Sequence, residues 1–138
     1  DPDQMRLIPE FLAGIDYLVQ PAEELKIRDK LVVVIQSEMG RTPHYNKGQG
    51  KDHWSIGSIM FMGHGIRGNR VIGATDNKQL PTPVNVKSLA NDEEKGIRVR
   101  PEHIHEALRE FARIDKHKFS GQFPLNVSKK DRLQDLFG

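Results

Sequence analysis

Cysteine is absent from all 138 residues. That excludes disulfides, thiolate nucleophiles and cysteine-based zinc sites, while leaving the compartment open, since exported proteins without disulfides are common. Long apolar runs are missing as well. No stretch approaches the roughly 18 residues needed to span a bilayer, so no membrane insertion is expected, and no signal-peptide core precedes the first helical pattern. A surplus of one charge is also lacking: 21 Lys and Arg stand against 19 Asp and Glu, dispersed along the chain. Without a basic cluster, a nucleic-acid partner is not expected. The chain opens at Asp1-Pro2 without an initiator Met, as a processed product or a piece of a longer protein would.

What is present fits a folded chain with a well-solvated surface. Apolar residues make up 36% and charged residues 29%, a balance that argues against disorder. A chain of this length fits one domain, residues 1–138, and can bury about two-thirds of its unfolded surface.

Phe11, Leu12, Ile15, Leu18 and Val19 recur at helical spacing, which predicts an amphipathic helix over 9–20 that Pro21 ends, with one or two further turns before Lys30. Leu31 to Ile35 is an unbroken apolar run rich in β-branched residues, the pattern of a strand buried on both faces of a largely parallel sheet. Residues 56–62 and 70–72 are further strand candidates. Residues 77–100 form a long polar excursion of the kind that serves as a cover, lid or partner contact. A second helix follows, with Pro101 at its first position, Glu102 in its first turn, and Ile104, Ala107, Leu108, Phe111 and Ile114 on one stripe.

Ligands collect beyond the carboxyl ends of strands in open α/β sheets, and the polar segment Ser37–Trp54, SEMGRTPHYNKGQGKDHW, begins at such an end. Asp52 and His53 are ligand types that suit Zn²⁺, Mn²⁺ or, for the carboxylate, Mg²⁺; the alternative is an Asp52 that pairs with a neighbouring Lys or caps a turn and a His53 packed near Trp54. Arg41 offers a planar fork for phosphate, sulfate or carboxylate, the alternative being an internal ion pair with Glu38. Gly63-His64-Gly65-Ile66-Arg67-Gly68 matches G-x-G-x-x-G, but a dinucleotide site needs a helix to follow, and NRVIGATD reads as a strand and a turn. A tight turn is expected there, from which His64 could reach a ligand. Lys47 to Lys51 fails as a P-loop, with Tyr45 at its first Gly position and Asp52 where Ser or Thr belongs. His103 and His105 lie two apart on a helix, too far round for a metal pair, and both are expected in solvent with His117.

VVVIQSEMGRTPHYNKGQGKDHW, then IMFMGHGIRGNRVIGATD, then RPEHIHEALREFARID together resemble the C-terminal half of the bacterial domain-of-unknown-function family numbered 1501. The resemblance spans about Leu31 to Ile114. It implies an alkaline-phosphatase-like α/β fold, a partial three-layer α/β/α sandwich with a mostly parallel sheet flanked by helices, of which this chain would be the C-terminal portion. It further implies kinship with metal-dependent phosphate and sulfate ester hydrolases of the sulfatase type, and an exported or periplasmic bacterial protein. On this resemblance Asp52, His53 and Glu38 are metal-ligand candidates for a divalent ion (Zn, Mn, Mg or Ca), and Arg41, Ser37 and His64 are candidates for the anionic substrate. Met39 stands where such enzymes often carry a metal-binding His, His64 where a Gly is usual, and Asn69 at the turn's last Gly. The nucleophile and first metal carboxylates belong to the N-terminal half of such a domain. The chain is accordingly expected to be incomplete for catalysis on its own, with a missing N-terminal half or a homo-oligomer as partner. The alternative is a non-catalytic binding or structural domain.

Overall fold

The computed structural model describes residues 2–138, in the order α1 (Pro2–Glu24), β1 (Val32–Gln36), β2 (Gly40–Arg41), β3 (His53–Trp54), β4 (Ile59–Gly63), α2 (Pro101–Phe111) and α3 (Lys118–Gln122). Single 3₁₀ turns precede β1 at Arg28–Lys30 and follow α3 at Lys129–Asp131. No described helix is long and apolar enough to cross a membrane. The strands form two separate antiparallel ladders, β1 with β4 and β2 with β3.

This overturns the expected three-layer sandwich with a mostly parallel sheet. Parallel neighbours need a crossover of a dozen or more residues, usually helical. Here the chain leaves β1 and reaches β4 with no helix between them, so β4 returns alongside β1 in the opposite sense. Residues 70–72 are not a strand.

The chain divides into two compact units. The first takes the chain through Gln36 together with Ile59–Ile66. Its helix α1 is longer than its apolar pattern predicts, and carries Pro9 and Pro21 inside it. Pro21 does not end the helix. Its carbonyl still accepts from Leu25 N–H at 2.9 Å, so Pro21 removes only its own donor. β1 and β4 pair Val32 with Gly63, Val34 with Phe61 and Gln36 with Ile59. Gly63 has φ +122°, and a Cβ there would strike the Leu31 carbonyl, so this end of the ladder requires glycine. The following turn closes with Ile66 N–H on the Gly63 carbonyl at 3.2 Å, and no helix opens after it. Only Ala22 is a buried hydrophobic residue of this unit among those described.

The second unit joins Ser37–Ser58 to Arg67–Gly138 and holds Val84, Ala107, Leu133 and Phe137, all buried. Residues 77–100 are a chain of turns held by isolated bridges: Val84, 1% exposed, pairs with both Asn91 and Ile97. Asp92 organises this stretch by accepting from Asn85 Nδ2 at 2.9 Å and from the Glu94 and Lys95 N–H groups. Those bonds, led by that of Asn85, hold its carboxyl below the usual range. Helix α2 begins at Pro101 as its stripe predicts, but His103 is 5% exposed rather than solvated. Its Nδ1 accepts from the Arg100 N–H at 3.0 Å, tying down a donor that the helix start leaves open. His117 likewise caps α3, accepting from Phe119 N–H at 3.3 Å.

The C-terminal segment closes this unit against α2. Arg132 reaches Glu106 at 2.6 Å and Glu110 at 2.8 Å, and Phe137 stacks at a tilt on Phe111 with ring centres 5.2 Å apart. Gln134 N–H donates to the Val86 carbonyl at 2.8 Å. The Arg70 guanidinium binds the Asp135 and Leu136 carbonyls.

Candidate functional site

The segment from Ser37 to Trp54 folds as a hairpin on the short β2–β3 ladder, which sets Gly40 opposite Trp54 and Arg41 opposite His53. Gly40 is required by close approach: a Cβ would collide with the Ile56 carbonyl. Beyond the ladder, Thr42 N–H donates to the Asp52 carbonyl at 3.0 Å and Asp52 N–H to Thr42 Oγ1 at 3.1 Å. The Thr42 hydroxyl donates on to the His44 carbonyl at 2.9 Å. Thr42 is the one buried residue of this hairpin, at 6% exposure.

Asn46 organises the loop tip. Its Oδ1 accepts from Gly48 N–H at 2.9 Å and Gly50 N–H at 3.1 Å, and its Nδ2 donates to Asp52 Oδ1 at 2.7 Å. Its backbone N–H donates to the Gly50 carbonyl at 2.8 Å. Side-chain amides that bond backbone two to four residues on are a familiar turn device. Lys51 lies over the Tyr45 ring at 5.2 Å, and Trp54 Nε1 donates to the Gln79 carbonyl at 3.4 Å.

Within this frame Ser37, Glu38, Arg41, Asp52 and His53 are all exposed. Arg41 and His53 share one face, because directly opposed residues of a ladder project to the same side. Arg41 does not pair with Glu38; Nη1 donates to the Lys51 carbonyl at 3.3 Å, which anchors one corner of the fork. Ser37 Oγ makes a long bond of 3.5 Å to Glu38 Oε2. Asp52 is engaged by Asn46 and stands next to His53 in the chain.

His64 belongs to the first unit, in the turn after β4, where it lines an open cavity of about 740 Å³ with Glu23, Lys26, Arg28, Asp29 and Gly63. Its N–H donates to the Leu31 carbonyl at 2.9 Å. Glu23 and Arg28 form an exposed ion pair at 3.1 Å.

Asp52 and His53 are of the right type for a divalent ion, but among the described residues no three His, Asp or Glu side chains gather as a metal group. Sequence reasoning missed Thr42 and Asn46, the two residues that shape the hairpin. For Asn46 a signal existed, since Asn followed by two spaced glycines in N-K-G-Q-G is turn chemistry; for Thr42 there was none, because its burial depends on the returning strand.

A family model described as a protein of unknown function, DUF1501, matches residues 2–111. No curated protein and no solved structure matches the chain.

Proposed function

This chain belongs to the DUF1501 family of proteins of unknown function, and from that premise we propose that its β2–β3 hairpin is the anion-binding part of a site related to those of metal-dependent phosphate and sulfate ester hydrolases. The observation that carries this reading is the pairing of Arg41 with His53 on one exposed face. An Arg fork offers several N–H donors to the oxygens of a tetrahedral anion, and the imidazole beside it is placed to hold a divalent ion that would face the same anion. The Lys51 carbonyl anchors Arg41 at one nitrogen, so less side-chain freedom is lost when an anion binds. Asp52, His53 and Glu38 are the proposed donors to a divalent ion, completed by residues from another segment, either an N-terminal part of the same kind of domain or another chain. Such an ion would polarise the ester. The role of this chain's own residues is to seat the anionic group and hold it at the hairpin.

Trp54, the single tryptophan, adjoins His53 and reports on the site. Titrating inorganic phosphate and, separately, sulfate is expected to change its fluorescence saturably, with Arg41→Met weakening the response about tenfold or more, as loss of a charge-assisted fork implies. Equal responses in wild type and Arg41→Met would sink the reading.

A second reading, a non-catalytic binding or structural domain, is favoured by the bond from Asn46 to the Asp52 carboxylate, which already gives Asp52 a structural partner. It expects no saturable anion response at all.

A further inference from the structure

The first unit presents an apolar ladder that is only partly covered. None of the ten residues of β1 and β4 is buried; Met60 is 57% exposed, Val34 38% and Met62 37%. Each face of the ladder is apolar: Val33 and Ile35 lie opposite Met62 and Met60 on one side, and Val32 and Val34 opposite Gly63 and Phe61 on the other. A two-stranded ladder is marginal alone. Among the described residues β1 has a strand neighbour on one side only, and its free edge carries none of the usual protections. Leu31 to Ser37 contains no charge and no proline, where exposed edges are normally blunted by Lys, Pro or a bulge.

We infer that the free edge of β1 pairs antiparallel with β1 of a second copy of this chain, on a twofold axis through Val34. Charge selects this occupant and this direction. The strand is flanked by Lys30 on its N-terminal side and Glu38 on its C-terminal side, each four residues from Val34. Antiparallel self-pairing about Val34 matches Val33 with Ile35, Val32 with Gln36, and the Lys30 end of each copy with the Glu38 end of the other. A parallel pairing would set Lys30 against Lys30 and Glu38 against Glu38, which is unfavourable. The contact is isologous and therefore closes as a dimer rather than propagating as a fibre. Main-chain bonds along the edge supply its strength, as in other strand additions. With 21 basic and 19 acidic residues, two copies repel one another little.

The test is light scattering coupled to size exclusion, with sedimentation over a concentration series, on the purified 138-residue chain. Wild type is expected at twice the 15.7 kDa chain mass. Val34→Lys, which sets two ammonium groups together at the axis, is expected to raise the dimer dissociation constant about tenfold or more. Lys30→Glu is expected to weaken the dimer and the double variant Lys30→Glu/Glu38→Lys to restore it, a rescue that misfolding would not produce. Circular dichroism and Trp54 fluorescence verify that each variant is folded. Hydrogen exchange is expected to add protection in the dimer at those alternate amides of 32–36 that the ladder with β4 leaves free. A monomer at every concentration overturns the inference, as does a dimer indifferent to Val34→Lys. A dimer protected along α1 with β1 open also overturns it, and assigns the contact to the exposed Met5, Ile8 and Leu12 of that helix.

Discussion

At the scale of single residues, His103 carries the clearest consequence. Burial, reinforced by the neighbouring Arg100 charge and only partly offset by Asp131 and Glu102, holds its pKa below the ordinary 6.5. The folded chain therefore keeps the imidazole neutral, and only the neutral ring can accept from the Arg100 N–H. The unfolded chain binds the proton more readily. The associated stability is fully present above the unfolded value and is lost as pH falls through the lower folded value. Urea midpoints are expected to fall as pH drops from about 7.5 to about 5, across the histidine range. His103→Gln keeps an acceptor at the third helical position without a titrating group, and its midpoint is expected to fall less over the same interval. Identical pH profiles for the two proteins would remove His103 from the account.

At the scale of elements, the β2–β3 hairpin is the case where local bonds decide the shape. Its ladder contains two residue pairs, too few to define a loop of this length, so the tip rests on Asn46 and the base on Thr42. Asn46→Ala removes three side-chain bonds at once and is expected to lower stability by about 1–2 kcal/mol, since exposed bonds contribute modestly and water replaces part of each. Thermal unfolding measures this. A loss of melting temperature in Asn46→Ala, together with no saturable phosphate or sulfate response of Trp54 in either protein, would favour the non-catalytic reading of the hairpin. The elements also show what was legible in advance. Helix α2 was, because Pro101, Glu102 and the Ile104–Ala107–Leu108–Phe111 stripe are all local signals. β1 was legible as a strand but not in its partnership. A continuous β-branched run is the signature of a strand covered on both faces, yet which strand lies beside it is set by β4 at a distance in the chain. The turn at Gly63 was legible from glycine spacing, whereas α3 and the burial of His103 were not, since the first is short and the second depends on tertiary packing. In the candidate site, Arg41, Asp52 and His53 were picked out by residue type; that Arg41 faces His53 rather than Glu38 needed the ladder register.

At the scale of the whole molecule, the two units differ in what they bury. Val84, Ala107, Leu133 and Phe137 are buried in the second, and Ala22 in the first. The exposed Met5, Ile8, Phe11, Leu12, Tyr17 and Leu18 all lie on α1, which thus gains little from packing and in addition carries two interior prolines, each of which removes a helical hydrogen bond. Most helical stability in proteins comes from burying an apolar face. α2 does so through Ala107 and is further held by Arg132 on Glu106 and Glu110. Local opening free energies follow such differences in burial. In native-state hydrogen exchange on the folded chain, the amides of α2 are therefore expected to exchange about 100-fold or more slowly relative to those of α1, after correction for intrinsic rates. The contrast is expected to persist in the dimer, because the proposed contact runs along β1 and leaves α1 uncovered. Equal protection across the two helices would show that α1 is covered in solution, and would make its apolar stripe, rather than the β1 edge, the partner surface.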